Sequence, residues 1–142
     1  MIRFRYLSLA FVLLLVFDGC AYEEGPFSFR SRKKRLANTW EYVKVIENGI
    51  DISPTFTSRV VEFETDNEAI LTVIDLNGVF TILQGNWECG NHPDRLVISV
   101  FDTQTDEFFF IEWIIKRLAN DELIVEEFTN GKWIQYELRT LE

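Results

Sequence analysis

Leu36-Ala37-Asn38-Thr39-Trp40 is where the grammar of the chain changes. From Trp40 onward apolar and polar residues alternate at period two, and Val, Ile, Phe, Trp, Tyr and Thr dominate, as expected of half-buried strands. Eight segments carry the pattern: 40–46, 59–65, 69–75, 79–87, 95–101, 107–117, 122–128 and 132–139. Asn-Gly, which supplies the positive φ angles of tight hairpin turns, occurs at Asn48-Gly49, Asn77-Gly78 and Asn130-Gly131. Further turn signals stand at 65–67, 103–106 and 119–121. Short connections make consecutive strands antiparallel neighbours. An eight-stranded meander with one apolar face gains by closing, because closure removes its exposed edges. No long helical period interrupts it, which excludes α/β folds. The expected fold is all-β, an eight-stranded antiparallel up-and-down barrel with a short N-terminal helix.

The facing of several strands is legible. Leu96, Ile98 and Val100 share one face; Leu123 and Val125 oppose Glu122, Ile124 and Glu126; Ile134, Tyr136 and Leu138 oppose Trp133, Gln135 and Glu137. Segment 107–117 is apolar on both faces through Phe108-Phe109-Phe110-Ile111 and Trp113-Ile114-Ile115, so its outer face calls for a cover: the N-terminal helix, a partner protein or a membrane. Trp40, first large apolar residue of the first strand, is expected to plug one end of the barrel against the last strands. Trp40, Tyr42, Phe63, Phe109, Trp113 and Tyr136 are the candidates for lining the lumen; taken singly each reads first as packing that fills it, while together the polar tips of the Trp and Tyr residues suit a pocket.

Upstream of Leu36 the chain reads as address and anchor. Arg3 and Arg5 precede an uncharged apolar run over 6–17, too short to span a bilayer, and Gly19-Cys20 follows. Residues 1–19 are read as a signal peptide, and Gly19-Cys20 resembles the lipobox of bacterial lipoproteins, which makes Cys20 the lipid acceptor. Residues 20–27 are then a lipidated tether and 28–142 the barrel domain. By the same resemblance, Ala21 argues against inner-membrane retention, and Glu23-Glu24 looks like a surface-export signal of some Gram-negative groups. The expected location is the outer membrane, facing the periplasm or the cell surface. A short helix is expected over 27–36, with Ser28 as N-cap and Phe29, Lys33 and Leu36 on one face.

With Cys20 lipidated, Cys89 has no partner, and stability must come from the core rather than from disulfides. Hydrophobic residues make up 47% of the chain, enough for such a core. Charge is uneven: Arg30, Arg32, Lys33, Lys34 and Arg35 cluster, whereas from Glu41 onward 7 basic and 20 acidic residues leave 7 − 20 = −13. That surface repels phosphates, so a nucleic-acid partner is rejected.

Catalytic signals are weak. Cys89-x-x-His92 with Asp94 offers three metal ligands at most, and no second Cys/His pair exists to complete a structural site. The same Cys and His form a poor catalytic pair without an orienting third group. Carboxylates are too abundant for any pair to stand out, and there is no Gly-x-Ser-x-Gly, Walker or dinucleotide motif. The chain is read as a non-enzyme with no metal and no cofactor.

The order of features is nonetheless familiar. Leu36-x-Asn38-x-Trp40 opens the first strand where lipocalin-type barrels carry Gly-x-Trp, and Gly85-x-Trp87 ends the fourth. Asp94-x-Leu96, Asp121-Glu122-Leu123 and a last strand ending in Leu138 complete the pattern. It resembles the lipocalin-like domain lipoproteins of Gram-negative envelopes. The resemblance implies a helix-capped barrel with a lumen able to hold a small apolar ligand, and carries over no ligand of its own; the leading reading is that the chain binds a small apolar or amphipathic molecule. The alternative is a solid-cored barrel that serves as a non-catalytic interaction subunit of the envelope.

Overall fold

The computed structural model describes residues 31–92 and 94–141; the expected signal peptide, Cys20, the expected tether and Ser28 lie outside the described residues. A short helix α1 (Arg32–Leu36) leads into strands β1 (Thr39–Glu47), β2 (Ile50–Asp51), β3 (Ser58–Phe63), β4 (Glu68–Ile74) and β5 (Phe80–Cys89). Strands β6 (Arg95–Asp102), β7 (Glu107–Leu118), β8 (Glu122–Thr129) and β9 (Lys132–Thr140) complete it. All pairings are antiparallel, in the order β2-β1-β3-β4-β5-β6-β7-β8-β9, and β1 also pairs with β9. Eight strands therefore form a closed up-and-down barrel, and β2 is a two-residue arm folded back on the end of β1.

Eight of these strands fall on the eight expected segments, with ends differing by one or two residues. The sequence reading omits β2 and the 3-10 turn Ser53–Thr55 behind it. That turn has a local cause. Asp51 Oδ1 accepts from both the backbone N–H and the hydroxyl of Ser53, and Pro54 supplies a fixed φ at the start of the turn.

Closure rests on β1, which serves two neighbours. Thr39, Trp40 and Glu41 pair with Glu62, Val61 and Val60 of β3, while Trp40 to Glu47 run along Thr140 to Ile134 of β9. A bulge between Tyr42 and Lys44 bends β1 so that Tyr42, Val45 and Glu47 all turn inward beside Leu138, Tyr136 and Ile134.

The two ends of the barrel differ. At one end Trp40 and Leu36 are fully buried, and Trp40 Nε1 donates to the Leu36 carbonyl at 2.9 Å, satisfying one of the open carbonyls of the helix end. Arg35 is buried too, its Nη1 donating to the Leu118 carbonyl at 3.1 Å. Trp40 is thus the plug the sequence suggests, and α1 locks it in. Among the described residues the helix begins at Arg32, and its N-cap is Ser31, whose hydroxyl accepts from Lys34 N; residues 27–30 of the expected helix lie outside them. At the other end stand the three Asn-Gly turns, with Asn48 and Asn130 and all three glycines at positive φ, as such turns require. Helix α1 sits on the closed end, so it does not cover the outer face of β7, where Phe108 and Phe110 are each 65% exposed.

The second Gly-x-Trp has a clear physical basis. Gly85 lies where a β-carbon would collide with the carbonyl oxygen of Ser99 on β6. The bare backbone lets β5 and β6 approach closely, and Trp87 fills the space beside them, its Nε1 donating to the Glu64 carbonyl at 2.9 Å.

Candidate ligand site between the lumen and the outer wall

The inward aromatic residues form one ladder of ring contacts. Trp87 meets Phe63 at 5.4 Å between centroids, and Phe63 meets Trp113 edge-on at 6.3 Å. Trp113 then meets Tyr136 at 5.6 Å and Tyr42 at 6.3 Å, and the two tyrosines meet each other at 5.5 Å. Phe56, from the segment after the 3-10 turn, closes the ladder at the mouth, 5.5 Å from Tyr136 and 5.4 Å from Tyr42. These separations are those of packed aromatic pairs, so at this level the rings fill the lumen.

Of the six candidate lumen residues, Tyr42, Phe63, Trp113 and Tyr136 are therefore brought together. Trp40 belongs to the plug instead. Phe109 keeps the inward parity of β7 but sits at the mouth, 38% exposed. Phe56 and Glu127 are the residues the sequence reading omits. Glu127 carried a usable signal: with Leu123 and Val125 inward, strict alternation places the residue at 127 inward as well.

Glu127 is the polar anchor of the aromatic cluster. Its Oε2 accepts from the Tyr136 hydroxyl at 2.8 Å and from Trp113 Nε1 at 3.4 Å. Burial pushes the phenols of Tyr42 and Tyr136 well above the ordinary tyrosine range, and the neighbouring negative charge of Glu127 pushes in the same direction. Both phenols therefore remain protonated donors at neutral pH. Asp102, a further inward carboxylate of this end, is committed to its own turn, where it accepts from the N–H groups of Gln104 and Thr105 and from the Thr105 hydroxyl. The hydrogen bond from Gln104, then that from Thr105, hold its carboxyl below the usual range.

Access to Glu127 comes from the side. Strands β7 and β8 pair only from Ile114↔Glu126 to Leu118↔Leu123; nearer the mouth, 107–113 of β7 stay with β6 and 127–129 of β8 stay with β9. The parting opens a groove of about 420 Å³. Phe110, Ile114, Phe128 and Trp133 wall it, Arg95 and Glu112 form an ion pair within it, and Glu127 lines it from the lumen side. A volume of this size falls within the range of small-molecule sites, and its lining divides between those four apolar side chains and the polar Arg95, Glu112, Glu127 and Thr129. A smaller hollow of about 280 Å³ lies on the other side of Trp133, along Ile46, Glu126 and Gln135.

The Cys89–His92–Asp94 segment lies at the closed end and runs directly into Arg95 of this groove. Cys89 is a free, exposed thiol at the end of β5, and no group of three His, Cys, Asp or Glu among the described residues is placed to hold a metal.

Solved structures with a similar fold include a lipocalin-like protein from Bacteroides uniformis, which aligns over 75% of this chain and 99% of its own with a TM-score of 0.53 at 15% identity. An uncharacterized protein from Bacteroides eggerthii aligns over 75% of this chain and 99% of its own, with a TM-score of 0.54 at 10% identity. A redesigned β-barrel aligns over 82% of this chain and 100% of its own, with a TM-score of 0.55 at 12% identity. The fold is thus that of lipocalin-like barrels. No protein-family model matches the chain, and no curated protein matches it in sequence.

Proposed function

We propose that the protein is a non-enzymatic, lipid-anchored barrel of the outer membrane, facing the periplasm or the cell surface, that binds a small apolar or amphipathic molecule. The observation that carries the binding part is the parting of β7 from β8. It exposes an apolar-walled groove that reaches a fixed carboxylate, while the rest of the lumen is filled by rings. The ligand accordingly lies in the side groove, against Phe110, Phe128 and Trp133, rather than deep in the barrel. Native mass spectrometry of the protein isolated from its own envelope tests this. A one-to-one small-molecule adduct is expected, lost when Ile114→Trp fills the groove. A bare mass for the wild type, or an adduct that survives in I114W, refutes the site.

A second reading has its own observation. Phe80, Ile82, Phe108 and Phe110 all point outward from β5 and β7 and are more than half exposed. Such an apolar face suits contact with another envelope protein. Photocrosslinking from position 108 in whole cells separates the two readings, because a single protein adduct there favours an interaction subunit.

A further inference from the structure

Building on the ligand-binding reading, we infer that the groove takes an amphipathic cation: an apolar body ending in an ammonium or quaternary ammonium head that seats against Glu127. Four observations converge on this. The cations around the groove are already matched, Arg95 with Glu112, Lys116 with Glu126 at 3.4 Å and Lys132 with Glu47 at 2.8 Å. Glu127 makes no ion pair among the described residues. Only its Oε2 is occupied, by Tyr136 and Trp113, and Oε1 accepts no hydrogen bond from the described residues.

The walls supply the second argument. Phe128 and Trp133 meet at 5.0 Å between centroids, tilted by 47°, on one side, and Phe110 stands on the other. Aromatic faces attract organic cations through the negative potential of the ring, most strongly where water is thin. The third argument is the penalty on other ligands. A neutral apolar molecule that covers the groove strips water from Glu127 and gives its charge no partner; an anion adds repulsion. The last is the field of the whole domain, 7 − 20 = −13 from Glu41 onward, which draws cations toward the barrel and repels anions.

The test uses the full-length chain carrying Cys20→Ser, titrated by calorimetry with three probes that share one body: 6-phenylhexyl-trimethylammonium, 6-phenylhexanol and 6-phenylhexanoate. The cation is expected to bind at least about tenfold tighter than the alcohol, and the carboxylate weakest. Glu127→Gln keeps the shape and the acceptor for Tyr136 but removes the charge. It should abolish the preference for the cation while leaving the alcohol's affinity within about twofold. Glu88→Gln on β5 removes the same charge away from the groove and should leave the preference intact. Equal binding of cation and alcohol, or equal losses in E127Q and E88Q, overturns the inference while the ligand site stands. No binding of any probe to the folded chain overturns the site and the inference together. If E127Q fails to fold, I114W decides: cation binding that survives a filled groove overturns the inference.

Discussion

Trp40 and Trp133 offer a matched pair for measuring what the closed end contributes. Trp40→Ala removes a fully buried ring, empties the space it fills in the core beside Leu36 and Val61, and strands the Leu36 carbonyl that Trp40 Nε1 satisfies at 2.9 Å. Truncating a buried tryptophan costs typically about 3–5 kcal/mol, and the orphaned carbonyl places this case toward the upper figure. Trp133→Ala removes the same atoms from the outer wall, where the ring is 50% exposed and leans on Phe128. Half of a large side chain's burial is worth roughly 1 kcal/mol. The difference of about 3 kcal/mol converts to a gap in melting temperature on the order of 12 °C for a domain of this size. Against a typical domain stability of about 5–15 kcal/mol, Trp40→Ala brings the protein near its threshold. Thermal unfolding followed by far-UV circular dichroism reads both variants. Trp40→Phe, which keeps an aromatic ring but loses the hydrogen bond, should fall between them. Equal losses for Trp40→Ala and Trp133→Ala refute the reasoning, because only burial distinguishes them.

Alkaline titration should expose the two ladder tyrosines. The unfolded chain releases phenol protons near pH 10, while the fold holds those of Tyr42 and Tyr136 to higher pH. Stability is therefore full below pH 10 and falls above it, by about 1.4 kcal/mol per pH unit for each. Urea denaturation at pH 9 and 11 should show that slope halved in Tyr42→Phe, and an unchanged slope contradicts the burial. Gly85→Ala drives a methyl group into the Ser99 carbonyl and should cost at least about 1–3 kcal/mol, a loss visible in the same denaturation assay. A fully stable G85A would show that β5 and β6 can separate without penalty. Cys20→Ser should move the protein from the membrane pellet to the soluble fraction, whereas unchanged fractionation counts against the lipid anchor.

The strands were legible because two independent signals agree along the whole domain: alternation within segments and turn chemistry between them. Each of the three Asn-Gly pairs marks a hairpin tip, and all three fall at the same end, as an up-and-down meander demands. The segment 50–58 was opaque for a physical reason. Ile50 and Ile52 alternate for a single step only, since an Asx-type bond at Asp51 and the ring of Pro54 then shape the chain rather than a pleat. The site was half legible. Aromatic clustering could be read from alternation, but the parting of β7 and β8 depends on where cross-strand pairing stops, and no residue type marks that point. The bulge between Ile115 and Arg117 and the outward contact of Phe128 with Trp133 arise only once the sheet has curled. Phe109 illustrates the same limit, because parity assigns it a face but not its depth along the barrel.

The doubled role of β1 has a consequence for the order in which the molecule assembles. Trp40 precedes Thr140, its partner in β9, by 100 positions, whereas every other pairing in the barrel joins strands adjacent in sequence or separated only by the β2 arm. The hairpins from β3 to β9 can zip locally, but the seam must wait for the last strand. Until then the chain is a curled sheet with two raw edges and an uncovered apolar face, the state most open to pairing with another copy of itself. Long-range closure of this kind is slow, and it leaves a window in which a holding chaperone would matter more than the final stability of the barrel.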